Sequence, residues 1–127
     1  MEFQEQQGIY QQIANHLCED ILRGIWPVNS RVPSVRELGA QLSVNPNTIM
    51  RSYSQLEETG ILYNRRGIGF FVHGQARRRI IERKRSEFLA RELPRFFRQM
   101  VLLNVSLDEV KSKFEVFLEQ QEPPAAS

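Results

Sequence analysis

The chain has 127 residues, 41% of them apolar and 25% charged, with a formal net charge of +2. Such a composition belongs to an ordinary soluble protein with room for one or two small units, and so small a net charge says little about partners until its distribution is examined. A single cysteine, Cys18, excludes an intramolecular disulfide and suggests a reducing, cytoplasmic setting. No stretch reads as a signal peptide or as a membrane span, so no membrane partner is expected.

Residues 1–8 are polar and expected to be extended or frayed. From Ile9 onward Ile13, Ala14, Leu17, Ile21, Leu22 and Ile25 recur at helical spacing, an amphipathic helix bounded by Gly24 and Pro27 and carrying Cys18 as a structural thiol. The turn at Trp26, Pro27, Val28 and Asn29 leads to Arg31-Val32, which could form a very short strand before Pro33. Residues 33–62 then read as two short helices with a tight turn between them. Ser34 followed by Glu37 has the spacing of a capping box, and Val35, Leu38 and Leu42 share one face behind it. Asn45-Pro46-Asn47-Thr48 starts the second helix, with Asn as the cap and Pro where its missing N–H costs nothing. Ile49, Tyr53 and Leu56 make its buried stripe, leaving Asn47, Thr48 and Arg51 outward, and Thr59-Gly60 ends it. This is the pattern of a helix-turn-helix whose second helix reads a major groove.

Two β-rich runs, 61–64 and 70–73, flank Arg65-Arg66-Gly67-Ile68-Gly69. They predict a hairpin with a basic, glycine-bearing tip, placed where the wing of a winged helix would be. Residues 75–103 read as a long helix with a broad stripe of Ile80, Ile81, Phe88, Leu89, Leu93, Phe96, Phe97, Met100 and Val101, which Pro94 should kink or split. Ser106 and Glu109 form a second capping box, opening a helix with Leu107, Val110, Phe114, Phe117 and Leu118 on one face. The proline-bearing tail is expected to be disordered. The expected fold is therefore mainly α with a small β-hairpin wing. Residues 1–74 form a winged helix-turn-helix, 75–120 a two-helix dimerisation region, and 121–127 a tail.

From Arg65 to Arg98 eleven basic residues stand against three acids, a candidate phosphate-facing surface whose alternative is a solvated helix face. Two helices alone have too little interior to cover Phe88, Leu89, Leu93, Phe96, Phe97, Met100, Val101, Val110, Phe114 and Phe117. Pairing with a second chain is the favoured explanation over folding back on the first unit.

The run 9–72 resembles the N-terminal domain of the GntR family of bacterial transcription regulators. The resemblance is carried by Arg31-Val32-Pro33-Ser34-Val35-Arg36-Glu37-Leu38, by Val44-Asn45-Pro46-Asn47-Thr48 and by Arg65-Arg66-Gly67-Ile68-Gly69-Phe70-Phe71-Val72. The short C-terminal region is similar to that of the YtrA subfamily; the chain has no room for the larger ligand-binding or aminotransferase-like domains of other members. The resemblance implies a homodimeric repressor that controls a transporter-type operon and binds a palindromic double-stranded DNA operator. Helix 46–58 would lie in the major groove and wing 65–69 in the minor groove. Carried over by position, Ser34, Arg36, Asn45, Asn47, Thr48, Arg51, Arg65, Arg66, Gly67 and Gly69 are the expected DNA-binding residues. Where family members often have Gly, this chain has Asn29, which tolerates a left-handed turn. Where they often carry Lys or Arg at the wing tip, it has Ile68.

Arg36 and Arg51 are expected on DNA, while Asn47 and Thr48, at a helix N-terminus, are expected on phosphate. For Asn45, capping alone is the favoured reading. His16 and His73 have no companions for a metal site or a catalytic dyad, and no catalytic motif, cofactor loop or zinc-spaced cluster appears. No enzyme activity, cofactor or metal is expected, and an unidentified small-molecule effector remains open, acting through dimer geometry. The rival from another class is a protein-interaction module without DNA binding, which would replace the outward polar and basic residues with acidic or apolar ones. A second is the DNA-binding head of a longer enzyme.

Overall fold

The computed structural model describes residues 8–121 and divides the chain into two units, Met1–Lys84 and Arg85–Ser127. The frayed start and disordered tail expected from the sequence fall largely on residues 1–7 and 122–127, outside the described residues.

The first unit contains α1 (Ile9–Leu22), α2 (Val35–Leu42), α3 (Pro46–Glu58), β1 (Leu62–Arg65), β2 (Gly69–Val72) and most of α4 (Ala76–Glu87). On α1 the i, i+4 series Ile13, Leu17 and Ile21 is buried, with Ala14 and Cys18 beside it. Ile9, at the first position of the helix, is exposed, as is Ile25, which lies in the turn after the helix stops at Leu22. Ile49, Tyr53 and Leu56 fill the centre from α3, against Val32, Leu38, Ile61, Leu62 and Val72.

Local signals set the helix ends. Ser34 Oγ accepts from the Glu37 amide at 3.1 Å, forming the Ser34 half of the capping box. Between α2 and α3 the chain turns through Ser43 at φ 55°, and the Val44 amide donates to the Gly39 carbonyl at 2.9 Å. Gly39 is buried, and a Cβ there would lie 2.7 Å from the Val44 carbonyl oxygen, so glycine is what lets the turn close on α2. Asn45 Oδ1 caps α3 by accepting from the Asn47 amide at 2.9 Å.

The hairpin is antiparallel in the register Leu62↔Val72, Tyr63↔Phe71, Asn64↔Phe70 and Arg65↔Gly69. The short strand expected at Arg31-Val32 is a single bridge, Arg31 to Phe71, extended by the Val32 amide donating to the Phe70 carbonyl at 3.0 Å. Asn29 takes the left-handed turn its side chain tolerates, at φ 65°.

The first unit extends past residue 74 because α4 begins as part of its core: Ala76 and Ile80 are buried. Ile80, read from the sequence as part of the C-terminal stripe, therefore belongs to the head. Two arginines fasten the same helix. Arg77 donates to the Leu22 carbonyl and Arg79 to the Gly60 carbonyl, each at 2.7 Å, satisfying carbonyls where α1 and α3 end.

The second unit holds the last residues of α4, a π-helical turn at Phe88–Glu92, α5 (Leu93–Leu103) and α6 (Leu107–Gln120). Pro94 neither breaks the chain out of helical geometry nor leaves it regular. The Leu93 amide bonds back five residues to the Phe88 carbonyl, and this widened turn makes room where the proline ring would press on the preceding turn. Asn104 turns the chain at φ 56°, and Ser106 and Glu109 complete both halves of the second capping box at 3.1 and 2.9 Å. No described residue of this unit is buried; Phe88, Phe96, Phe97, Phe114 and Phe117 are each about half exposed.

Candidate nucleic-acid interface

The sequence of α3 separates it into two faces. Ile49, Ser52, Tyr53 and Leu56 are buried, whereas Asn47 and Arg51 are exposed and Thr48 is half-buried. Tyr53 anchors the inner face: its hydroxyl donates to the Pro33 carbonyl at 2.6 Å, and its ring meets Phe70 edge-on at 5.2 Å. One side chain thus ties α3 to the entry of α2 and to β2, the elements that carry Arg36 and the wing. Burial pushes its phenol well above the usual tyrosine range, so it stays a neutral donor.

The outer face is less open to anions at its backbone than the sequence suggested. The Asn47 amide is taken by Asn45 Oδ1, and the Thr48 and Ile49 amides donate to the Asn45 carbonyl at 2.9 and 3.3 Å. A phosphate at this end would meet the side chains of Asn47 and Thr48 and the positive end of the helix dipole rather than free amides. Asn45 thus caps α3. Ser34 caps α2 in the same way, and Arg36 is exposed in the first turn of that helix.

Arg51 is not a loose surface arginine. Its Cζ lies 3.9 Å from the centre of the Tyr10 ring, in the first turn of α1. Ser52, its buried neighbour, donates to the Tyr10 carbonyl at 2.7 Å and so fixes the same turn from beneath.

At the wing the Ile68 amide closes a tight turn on the Arg65 carbonyl at 2.8 Å. Gly67 has φ 78°, the positive value that the third position of a type II turn demands. Arg66, Gly67 and Ile68 form the exposed tip, and Arg65 lies over the Phe71 ring at 5.4 Å. Gly69 sits against Arg31, with the site of a Cβ only 2.9 Å from Arg31 Nε. Arg31 therefore brings a guanidinium to the wing from outside the hairpin, beside the position where Ile68 supplies no charge. The sequence placed Arg31 in a short strand and in the first family motif, but not at the wing. The signal that could have found it was Gly69, which leaves space for a neighbour.

Four members of the basic run have local roles in the head. Arg77 and Arg79 are engaged at helix ends, and Arg83 and Lys84 supply positive charge near Cys18. Both histidines have structural partners: His16 lies 3.5 Å from Asp20, and His73 Nδ1 accepts from the Gln75 amide at 3.0 Å. Among the described residues no group of three or more His, Cys, Asp or Glu could hold a metal ion, and no helix is long and apolar enough to cross a membrane.

The sequence pattern described as "Bacterial regulatory proteins, gntR family" matches residues 9–72. The HTH-type transcriptional regulator YhcF of Bacillus subtilis is 35% identical over 118 residues, 93% of this chain and 96% of that protein. The HTH-type transcriptional repressor YtrA of the same organism is 38% identical over 76 residues, 60% of this chain and 58% of YtrA. Among solved structures, a GntR-family transcriptional regulator from Bacteroides thetaiotaomicron superimposes with a TM-score of 0.77 at 41% identity, over 91% of this chain and 100% of that one.

Proposed function

Because the chain belongs to the GntR family and is a DNA-binding transcription regulator rather than an enzyme, we propose that it works as a homodimeric repressor of a palindromic operator. Each protomer lays the N-terminal half of α3 in a major groove, with Asn47 and Thr48 on phosphate and Arg51 on a base edge. Arg36 adds a contact from α2, and the wing, with Arg65 and Arg66 at a glycine-bearing tip, lies along the adjacent minor groove. The observation that carries this reading is the division of α3: half of it is locked into the core through Ile49 and Tyr53, and the polar and basic half is left outward.

Dimerisation is supported by the second unit, where Phe88, Leu89, Phe96, Phe97, Val101, Phe114 and Phe117 are exposed and Leu93, Met100 and Val110 are only partly covered. A stripe of this size is covered in water by a partner. Repression is supported by the likeness to YtrA, itself a repressor. Control of a transporter-type operon rests on the resemblance to the YtrA subfamily, and a small-molecule effector, where one binds, would act by changing the spacing of the two heads.

The test is a selection of genomic fragments on purified full-length protein, at two salt concentrations. Enrichment of a palindrome is expected, with a logarithmic salt slope that reports the number of phosphate contacts. A reporter carrying that palindrome over its promoter should be silenced when the protein is expressed. Arg51→Ala should weaken binding and relax preference at one base pair per half-site. Uniform, salt-sensitive retention without a palindrome would overturn the operator reading.

A further inference from the structure

We infer that Tyr10 is a positioning residue for base recognition, its ring holding the Arg51 guanidinium in the plane from which it addresses a base edge. The inference rests on the operator-binding reading above. A distance of 3.9 Å from Arg51 Cζ to the ring centre is face contact between a cation and the negative face of an aromatic ring. All five N–H donors of a guanidinium lie in its own plane, so with the ring along that plane's face, as inferred, the donor edge stays free. Arg51 is still exposed, and that edge matches the O6 and N7 acceptors of guanine in a major groove.

The ring that holds Arg51 is itself held. Ser52 Oγ donates to the Tyr10 carbonyl at 2.7 Å from the next residue along α3. A Cβ at Gly8 would lie 3.3 Å from the ring, so the backbone at the start of α1 packs closely beside it. Gln11 Nε2 donates to the hydroxyl across 3.4 Å, the weakest of these contacts. The first turn of α1 is thus registered to α3 by a partly buried hydrogen bond, and its aromatic ring faces the one arginine on the outward side of α3. A long, flexible side chain presented this way loses less conformational freedom on binding than one that is free to swing.

The experiment uses full-length protein, the palindrome recovered by selection and its single-base substitutions in each half-site, at two salt concentrations. Tyr10→Leu should lower discrimination at the same base pair that Arg51→Ala relaxes, by roughly two- to fivefold per half-site, with the salt slope unchanged. Tyr10→Phe, which keeps the ring, should retain wild-type preference. On an Arg51→Lys background, which keeps the charge but lacks the flat fork, Tyr10→Leu should add nothing. Tyr10→Met carries the same expectation should the leucine variant not fold. Preference at that base pair left intact by Tyr10→Leu, or affinity lowered equally for every substituted site, would overturn the inference while leaving the operator reading standing. Wild-type protein that recovers no palindrome would overturn both.

Discussion

The two units of this protein use apolar residues in opposite ways. In the first, Ile49, Tyr53 and Val72 lose all contact with water, and Ile13, Leu62 and Ile80 nearly all. In the second, no described residue is buried, and five phenylalanines stand about half exposed. Fully burying a side chain of this kind contributes about 1.5–3 kcal/mol, so the first unit holds its own driving force for folding. The second has comparable apolar material but no interior in which to use it. Helix caps, a π-helical turn and good amphipathic spacing shape its helices, but its stripe stays open to water, and in the proposed dimer a second copy covers it. The chain joins a head with a buried core to a region whose apolar stripe lies open, the stripe that the proposed homodimer would cover.

The largest effect should come from charging that stripe. Phe96→Glu with Phe114→Glu is expected to leave sedimentation showing a monomer, with operator affinity lower by about a hundredfold or more because the second head no longer binds as part of the same molecule. The thermal transition of the head should survive. Unchanged mass in sedimentation would break the comparison at its base. Truncation sharpens it next. Ile49→Ala should cost the head about 2–5 kcal/mol in denaturant unfolding, whereas Phe97→Ala, measured in protein dilute enough to be monomeric, should cost less than about 1 kcal/mol because it opens no buried cavity. Equal losses would mean that the second unit has a core of its own. Tyr53→Phe follows, at about 1–3 kcal/mol, since it leaves the Pro33 carbonyl without its 2.6 Å donor.

The elements were largely legible in the sequence because their signals are local. Ser34, Asn45 and Ser106 announce three helix starts within four residues of each, and the spacing of Ile49, Tyr53 and Leu56 sets the buried face of α3. The contacts that arrange the candidate site join residues far apart in the chain, and no periodicity reports them. Arg51 meets Tyr10 across forty-one positions, and Arg31 reaches Gly69 across thirty-eight. The same limit explains Arg77 and Arg79. Read along the chain they were part of a basic run, but folding carries them to the ends of α1 and α3, where carbonyls need donors. Pro94 announced a disturbance without its form, since a kink, a break and a widened turn all relieve the same clash.

The last prediction probes the border between the two regions. Cys18 is buried on α1, and burial pushes its thiol from the ordinary 9.0 up to about 11, with Lys84 and Arg83 at the end of the head drawing it partly back. A thiol held neutral in the folded state contributes stability that is complete below pH 9 and is lost as pH rises towards 11, because the unfolded chain ionises first. The loss should reach about 1.4 kcal/mol by pH 10. It should appear as a steeper fall in melting temperature for the wild type than for Cys18→Ala over that interval. At pH 8 the same thiol should resist iodoacetamide in the native protein and react once it is denatured. Charging Phe96 and Phe114 should leave that resistance intact, because Ala76, Ile80, Arg77 and Arg79 fasten α4 to the head. Rapid labelling in the charged variant alone would mean that association, rather than those four residues, keeps the end of α4 in place.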